Sequence, residues 1–317
     1  MTELRAKLRA EIEKLLNEQS IDVFLAFKHA DSPLRPQPGF FRPGDSLEDL
    51  EYNYLCQNNL ANYLPRFPVE TRIGMVVRGC ESRSVNALLV EKQHLRENLT
   101  LIGVPCQGIV DLRKLIERTG EDITAYSENQ DTITIHFQGM EHVFVKEDVL
   151  HDSCLRCLHP NPVNVDILIG EPLPEGDTNL VREKVAAFQA LSRDERYDWF
   201  RQEAERCIRC YACREACPMC YCTECFVDHN QPRWTESSIS PAGTHAWHII
   251  RAFHQAGRCT SCGACERACP MDIKMTYLTD KLNEDILEIY QFETGMDAET
   301  QPPFAAFNMD DKKRFVA

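Results

Sequence analysis

Residues 207–225 read CIRCYACREACPMCYCTEC, seven cysteines in nineteen residues. The first four, Cys207, Cys210, Cys213 and Cys217, are spaced C-x-x-C-x-x-C-x-x-x-C and followed by Pro218. Cys220, Cys222 and Cys225 do not keep that spacing. The pattern returns at Cys259, Cys262, Cys265 and Cys269, again followed by proline, Pro270. Three close thiolates can wrap three irons of one cubane, and the fourth, on the turn that proline enforces, reaches the other cluster of a pair. The spacing therefore predicts one 4Fe-4S cluster on Cys207, Cys210, Cys213 and Cys269. It predicts a second on Cys259, Cys262, Cys265 and Cys217. Structural zinc, the rival, usually uses two separated C-x-x-C pairs. The spare thiols Cys220, Cys222 and Cys225 either form a fourth metal site, with a ligand from elsewhere or from a partner, or pack as shielded thiols beside a cluster. Three loose thiols there would be prone to oxidation, which favours metal.

The rest of the composition frames this chemistry. The 317 residues are 43% hydrophobic and 26% charged, as in a soluble globular protein with ample core. No apolar run approaches the roughly 20 residues that span a bilayer. The opening MTELRAKLRAEIEKLLNEQS has apolar residues at helical spacing and lacks the apolar centre of a signal peptide. These features predict a cytoplasmic protein without a membrane span. Sixteen cysteines in that setting mean metal or redox chemistry rather than a disulfide framework. A net charge of −14 argues against a phosphate grip on nucleic acid.

Along the chain, residues 21–27 (IDVFLAF), 72–79 (RIGMVVRG) and 99–105 (LTLIGVP) read as strands. Residues 46–64, 82–95 and 109–119 read as helices between and after them. This β-α-β-α order predicts an α/β layer with a mixed, largely parallel sheet. ITAYSE, TITIHF and HVFVKE follow as an antiparallel extension, and VNVDILIGE (163–171) as a further buried strand. Behind a connector at EPLPEGD, residues 181–207, 244–257 and 275–290 read as helices. The expectation is thus an α/β domain over residues 1–176 and a mostly α-helical ferredoxin-like dicluster domain over 177–317.

The second cysteine run lies in HIIRAFHQAGRCTSCGACERACPMDI, about forty residues after the first. This region resembles the α-helical ferredoxin domain of heterodisulfide-reductase and succinate-dehydrogenase iron–sulfur subunits. Four cysteines precede it: Cys80 in RGCES, Cys106 in GVPCQG, and Cys154 and Cys157 in SCLRCLH. Cys80 and Cys106 each end a predicted strand of the α/β layer, where sites collect. Spacing alone leaves open a third cluster, or two core thiols plus a zinc knuckle. RGCESRSVNALLVE, GVPCQG and CLRC…VDILIGE together resemble the beta-subunit family of deazaflavin-dependent hydrogenases and formate dehydrogenases. The resemblance implies FAD and a third 4Fe-4S cluster on Cys80, Cys106, Cys154 and Cys157. It also implies electron transfer between a catalytic subunit and a soluble carrier.

No Gly-x-Gly-x-x-Gly or Walker motif is present, so the flavin rests on that resemblance. Candidate contacts are Arg78, Gly79, Ser82, Arg83 and Ser84, at a strand-to-helix turn whose amides and guanidinium groups could hold a pyrophosphate. Arg83 could equally pair on a helix surface. GFFRPGD (39–45) reads as a turn, Cys56 as a core thiol, and His229, His245, His248 and His254 as packing or hydrogen-bonding residues. The function these features predict is an iron–sulfur flavoprotein relay, an oxidoreductase subunit. Its implied neighbours are a formate dehydrogenase, a hydrogenase or heterodisulfide-reductase-like proteins, and its carrier deazaflavin, NAD(P)H or ferredoxin. Two rivals are a flavin-free iron–sulfur adaptor and a metal-based regulatory sensor.

Overall fold

The computed structural model describes residues 2–307 and 309, apart from 33, 121, 122, 130 and 237. The last eight residues of the expected second domain, 310–317, thus lie outside it. Helix α1 (Thr2–Asn17) lays Leu8, Ile12 and Leu16 against the main sheet, at the spacing that puts one stripe on one face. The sheet runs β2 (Gln37–Phe41), β1 (Val23–Lys28), β4 (Ile73–Val77), β5 (Leu99–Gly103), β9 (Ile167–Leu168), with β3 (Leu50–Glu51) also on β1. β1, β4, β5 and β9 are parallel; β2 and β3 are antiparallel to β1. β4 is buried at every position, as a parallel strand covered on both faces should be. Helix α2 (Gly79–Val90) leaves β4 and returns the chain to β5.

The predicted helix over 46–64 does not form. Leu50–Glu51 pair with β1, and only a 3-10 turn, Leu60–Arg66, follows. The asparagines break the pattern. The Asn53 side-chain Oδ1 accepts from the Leu55 amide and that of Asn59 from the Ala61 amide, two local turns that compete with helix. Arg78 then takes the carbonyls of Cys56 and Asn58. The strand expected at 163–171 shrinks to two paired residues at an edge, where the Asp166 carboxylate accepts from the Leu101 amide. GFFRPGD divides: Gly39–Phe41 belong to β2, and Arg42 to Asp45 close a turn.

The antiparallel strands β6 (Ile123–Glu128), β7 (Thr132–Phe137) and β8 (Met140–Val145) form a sheet of their own rather than an extension. Ile133 and Ile135 of β7 bury against Leu112 and Leu115 of helix α3 (Leu112–Thr119), beside the main sheet.

From residue 178 onward the described elements are helical. The run read as one helix is two, α5 (Thr178–Ala190) and α6 (Arg193–Glu205), after the short α4 (Asp152–Leu155). Ser192 and Glu195 close a reciprocal cap at the break. Next come α7 (Ala212–Glu215), α8 (Pro241–His254), α9 (Ala264–Arg267) and α10 (Thr276–Tyr290). Trp247 of α8 is buried between Tyr211 and Phe226. Among the described residues no helix is long and apolar enough to cross a membrane.

Candidate metal centres

The two cysteine runs are structural copies displaced by the same interval. Arg209 and Tyr211 of the first adopt positive φ of 53° and 61°; Ser261 and Gly263 of the second adopt 53° and 70°. In each, the amide two residues on donates to the first sulfur, Arg209 to Cys207 and Ser261 to Cys259, both at 3.4 Å. In each, a one-turn helix, α7 or α9, carries the third cysteine, Cys213 or Cys265. Such amide-to-sulfur bonds stabilise thiolate over thiol and would raise a cluster's potential.

The thiols fall into groups that cross between the runs. Burial pushes Cys207 up, and its neighbours Cys269 and Cys210 push it further. Cys213 is pushed up to about 11 by burial, with Cys207, Cys269 and Cys210 adding to it. Cys269 of the second run therefore stands with the first three cysteines of the first run. Conversely, burial and Cys262 push Cys259 up to about 12, and Cys217 contributes. Cys265 is raised by burial and also feels Cys217 and Cys259. Burial and the repulsion between neighbouring thiolates keep these groups protonated until a metal takes their protons' place. The Arg251 guanidinium is 5% exposed and lies beside Cys213, Cys217 and Cys265, so one cation serves both groups.

Cys80, Cys106, Cys154 and Cys157 also gather. Cys80 lies in the first turn of α2, Cys106 follows β5, Cys154 sits on α4 and Cys157 just beyond. Burial raises Cys106, with Cys154 beside it, and raises Cys157 to about 12, with Cys154 and Cys106 beside it. The Gly108 amide donates to Cys106 at 3.4 Å and the Ile109 amide to Cys154 at 3.3 Å. Among the described residues no three His, Cys, Asp or Glu side chains converge at the distance of a single ion.

The third group abuts the second. Burial raises Cys80 well above its ordinary value, Arg78 opposes this, and Cys262 and then Cys106 push it further up. The Ser84 and Thr260 hydroxyls meet at 3.0 Å across the same junction. A Cβ on Gly263 would fall 2.2 Å from the Ser153 hydroxyl, next to Cys154. Arg267 donates to the Gln57 carbonyl, and Arg113 pairs with Asp272.

The five residues considered for a pyrophosphate are placed at this turn but are largely consumed there. Arg78 is 3% exposed, pairs with Glu81 and fills its other donors with the Cys56 and Asn58 carbonyls. A side chain on Gly79 would strike the His159 carbonyl at 2.1 Å. Ser82 and Ser84 donate to the Gly79 and Cys80 carbonyls. Arg83 reaches the Thr294 carbonyl and Glu293. These groups fasten α2 to its neighbours and leave no open anion cradle. Arg78 lines a cavity of about 300 Å3 at the carboxyl ends of β4, β5 and β9, with Tyr52, Tyr54, Pro105, Cys106 and Gln107, and Arg83 lines a separate one of about 140 Å3 with Cys80, Cys157 and Cys259. Sequence reasoning missed the two tyrosines, because it read them into a helix. His245 packs on Tyr197 and Phe200 and His248 is buried, as the packing reading expects. Cys56 is wholly buried in the core.

Comparison with known proteins agrees with this division. Residues 203–273 match the family described as the 4Fe-4S dicluster domain. The "F420-dependent formate dehydrogenase subunit beta" of Methanocaldococcus jannaschii is 23% identical, over 92% of this chain and 91% of its own. The "F420-dependent formate dehydrogenase 1 subunit beta" of Methanococcus maripaludis is 22% identical, over 91% of this chain and 90% of its own. A solved F420-reducing nickel–iron hydrogenase complex from Methanosarcina barkeri gives 15% identity and a TM-score of 0.37, over 46% of this chain and 57% of that one, too slight to carry an argument. The chain is thus related, over nearly its whole length, to the beta subunits of deazaflavin-dependent formate dehydrogenases, and carries a 4Fe-4S dicluster domain as an iron–sulfur electron-transfer subunit of an oxidoreductase.

Proposed function

We propose that the chain carries FAD and three 4Fe-4S clusters and passes electrons between a formate-oxidising partner subunit and a deazaflavin carrier. The cluster ligands are Cys207, Cys210, Cys213 and Cys269; Cys259, Cys262, Cys265 and Cys217; and Cys80, Cys106, Cys154 and Cys157. Residues 1–176 form the flavin-bearing domain and 177–317 the dicluster domain. The observation that carries this reading is the junction at which the Ser84 hydroxyl, one turn after Cys80, meets the Thr260 hydroxyl, next to Cys259, at 3.0 Å. It supports reading the three thiol groups as successive stations, with Cys106 of the last lining the cavity beside Tyr52 and Tyr54.

That cavity suits the flavin ring. It lies outside the carboxyl ends of parallel strands, where α/β sheets bind ligands. Its aromatic walls and size fall within the range of cofactor pockets. Gln107 would face the ring's polar edge, and Lys146 fixes it with a 2.8 Å hydrogen bond. FAD bound there would supply the exchange between two-electron and one-electron chemistry. The protein's own part is to exclude water and to set potentials through burial and the amides of Gly108, Ile109, Arg209 and Ser261.

The test is the content of anaerobically isolated protein and its response to donors. At least about 12 irons and one FAD per chain, with the flavin reduced by reduced deazaflavin, support the reading. Iron without flavin would leave an adaptor; reduction by NAD(P)H or ferredoxin alone would replace the carrier.

A further inference from the structure

We propose that Cys220, Cys222 and Cys225 hold a fourth iron–sulfur cluster whose remaining ligand is His254. The inference rests on the chain being an iron–sulfur subunit but uses none of the twelve cysteines assigned above. All four residues line one cavity of about 310 Å3, between the loop after α7 and the end of α8. One water needs about 10–15 Å3 of such space, so the cavity is larger than a single ion and its ligands require. The three sulfurs stand around it rather than meeting at one point. A polynuclear cluster separates its ligands in that way; a tetrahedral zinc gathers them.

The lining is prepared for an anion. Arg251 is 5% exposed, and its Nε has no hydrogen-bond partner among the described residues. A buried donor left so is costly unless something fills the space before it. Gln255, 3% exposed, donates its Nε2 hydrogen to Cys220 at 3.4 Å, and the Arg214 guanidinium lies at Cys225. A +2 cubane core on three thiolates and a neutral imidazole has a net charge of about −1, which these cations and donors match.

The choice of His254 follows from what else faces the cavity. The Asp228 and Glu215 carboxylates are both engaged by Arg214, at 2.8 and 3.1 Å. The His254 ring makes no hydrogen bond among the described residues and is held edge-on to Phe226, with centroids 5.1 Å apart. Cys220 also hydrogen-bonds Cys217, so the proposed cluster adjoins the second of the dicluster pair, and Cys222 faces solvent.

The experiment is metal analysis and spectroscopy of the full chain, made and isolated anaerobically, against the variants Cys222→Ser/Cys225→Ser and His254→Cys. The expected result is about 16 irons and 16 sulfides, falling by about four in the double variant while the other cluster signals persist. His254→Cys should keep the iron and change the Mössbauer and electron paramagnetic resonance signature of one cluster alone. About 12 irons in both proteins would overturn the proposal, as would one zinc per chain that the double variant loses. A His254→Cys spectrum identical to the parent's would remove His254 from it. A total well below 16 that still falls by four in the double variant would keep this site and instead sink the three-cluster reading.

Discussion

Replacing Gly263 with alanine tests whether the junction between the third thiol group and the dicluster half is as tight as it looks. Gly263 sits at φ +70°, and an added Cβ would lie 2.2 Å from the Ser153 Oγ and 2.6 Å from its Cβ. The left-handed backbone alone costs a non-glycine residue about 1–2 kcal/mol. The hydroxyl can rotate away, but the Ser153 Cβ moves only with the backbone of α4, which carries Cys154; such overpacking costs about 1–3 kcal/mol. The expected penalty is therefore about 2–5 kcal/mol. Tyr211 occupies the matching place in the first run at φ 61°, but its ring packs edge-on to Trp247, so Tyr211→Gly should relieve backbone strain yet destabilise on balance through the packing it loses. Anaerobic guanidinium titration, followed by cluster absorbance and compared by midpoint, reads both. Adding Ser153→Gly removes both overlaps and should recover the overpacking share of about 1–3 kcal/mol as a coupling between the two sites, whereas Ser153→Ala should recover little. A Gly263→Ala protein within about 0.5 kcal/mol of the parent, or one that Ser153→Gly does not rescue, would refute the packing argument.

Three further outcomes follow from the same geometry. Cys106→Ser should lower the iron by about four atoms per chain and leave the dicluster signals in place, as iron analysis and electron paramagnetic resonance would show. Glu81→Gln should destabilise the fold by about 3–5 kcal/mol, because the Arg78 cation, 3% exposed, loses its buried partner. His248→Leu should flatten the pH dependence of stability. Burial and the nearby Arg251 hold His248 down to about 4, against 6.5 in the unfolded chain. The unfolded state therefore binds the extra proton between those values, so His248's contribution is intact above pH 6.5 and is lost as pH falls toward 4. Denaturation midpoints at pH 7.5 and pH 5.5 should differ by about 1 kcal/mol less in the variant than in the parent.

The elements carried by strong local patterns were legible in the sequence; those decided by long-range partners were not. β4 and β5 announce themselves as unbroken apolar runs, and the capping sequence at Ser192 marks a helix start that the run read as one helix overlooked. The stretch 46–64 carries a helix-like apolar spacing, yet Glu51 answers Arg5, and the carbonyls of Cys56 and Asn58 answer Arg78. No periodicity encodes a guanidinium arriving from twenty residues away. Because Tyr52 and Tyr54 lie in that stretch, the cavity they line was hidden by the same misreading. The cysteine runs were readable because metal chemistry fixes their spacing. Cys80, Cys106, Cys154 and Cys157, drawn from three separate stretches of chain, were readable as one set only through resemblance.

The contacts that hold the two halves together are also those that shorten the route between their thiols. Arg83 spans to the Thr294 carbonyl, and a Cβ on Gly295 would strike the Arg83 carbonyl at 2.1 Å, so the segment after α10 is pressed onto α2. Cys80 lies in the first turn of α2, and the Ser84 hydroxyl one turn on meets Thr260, the residue after Cys259. Arg258, just before Cys259, is paired with Glu91 at the far end of the same helix, and Tyr221, between Cys220 and Cys222, donates to that same carboxylate at 2.5 Å. One helix is therefore tied at its start, middle and end to the loops that carry the cysteines. Electron tunnelling between centres demands fixed, short separations, and a junction free to hinge would lose them. The buried polar ties along α2 cost more to desolvate than apolar packing would, and what they supply in return is a single register between that helix and the cysteine-bearing loops.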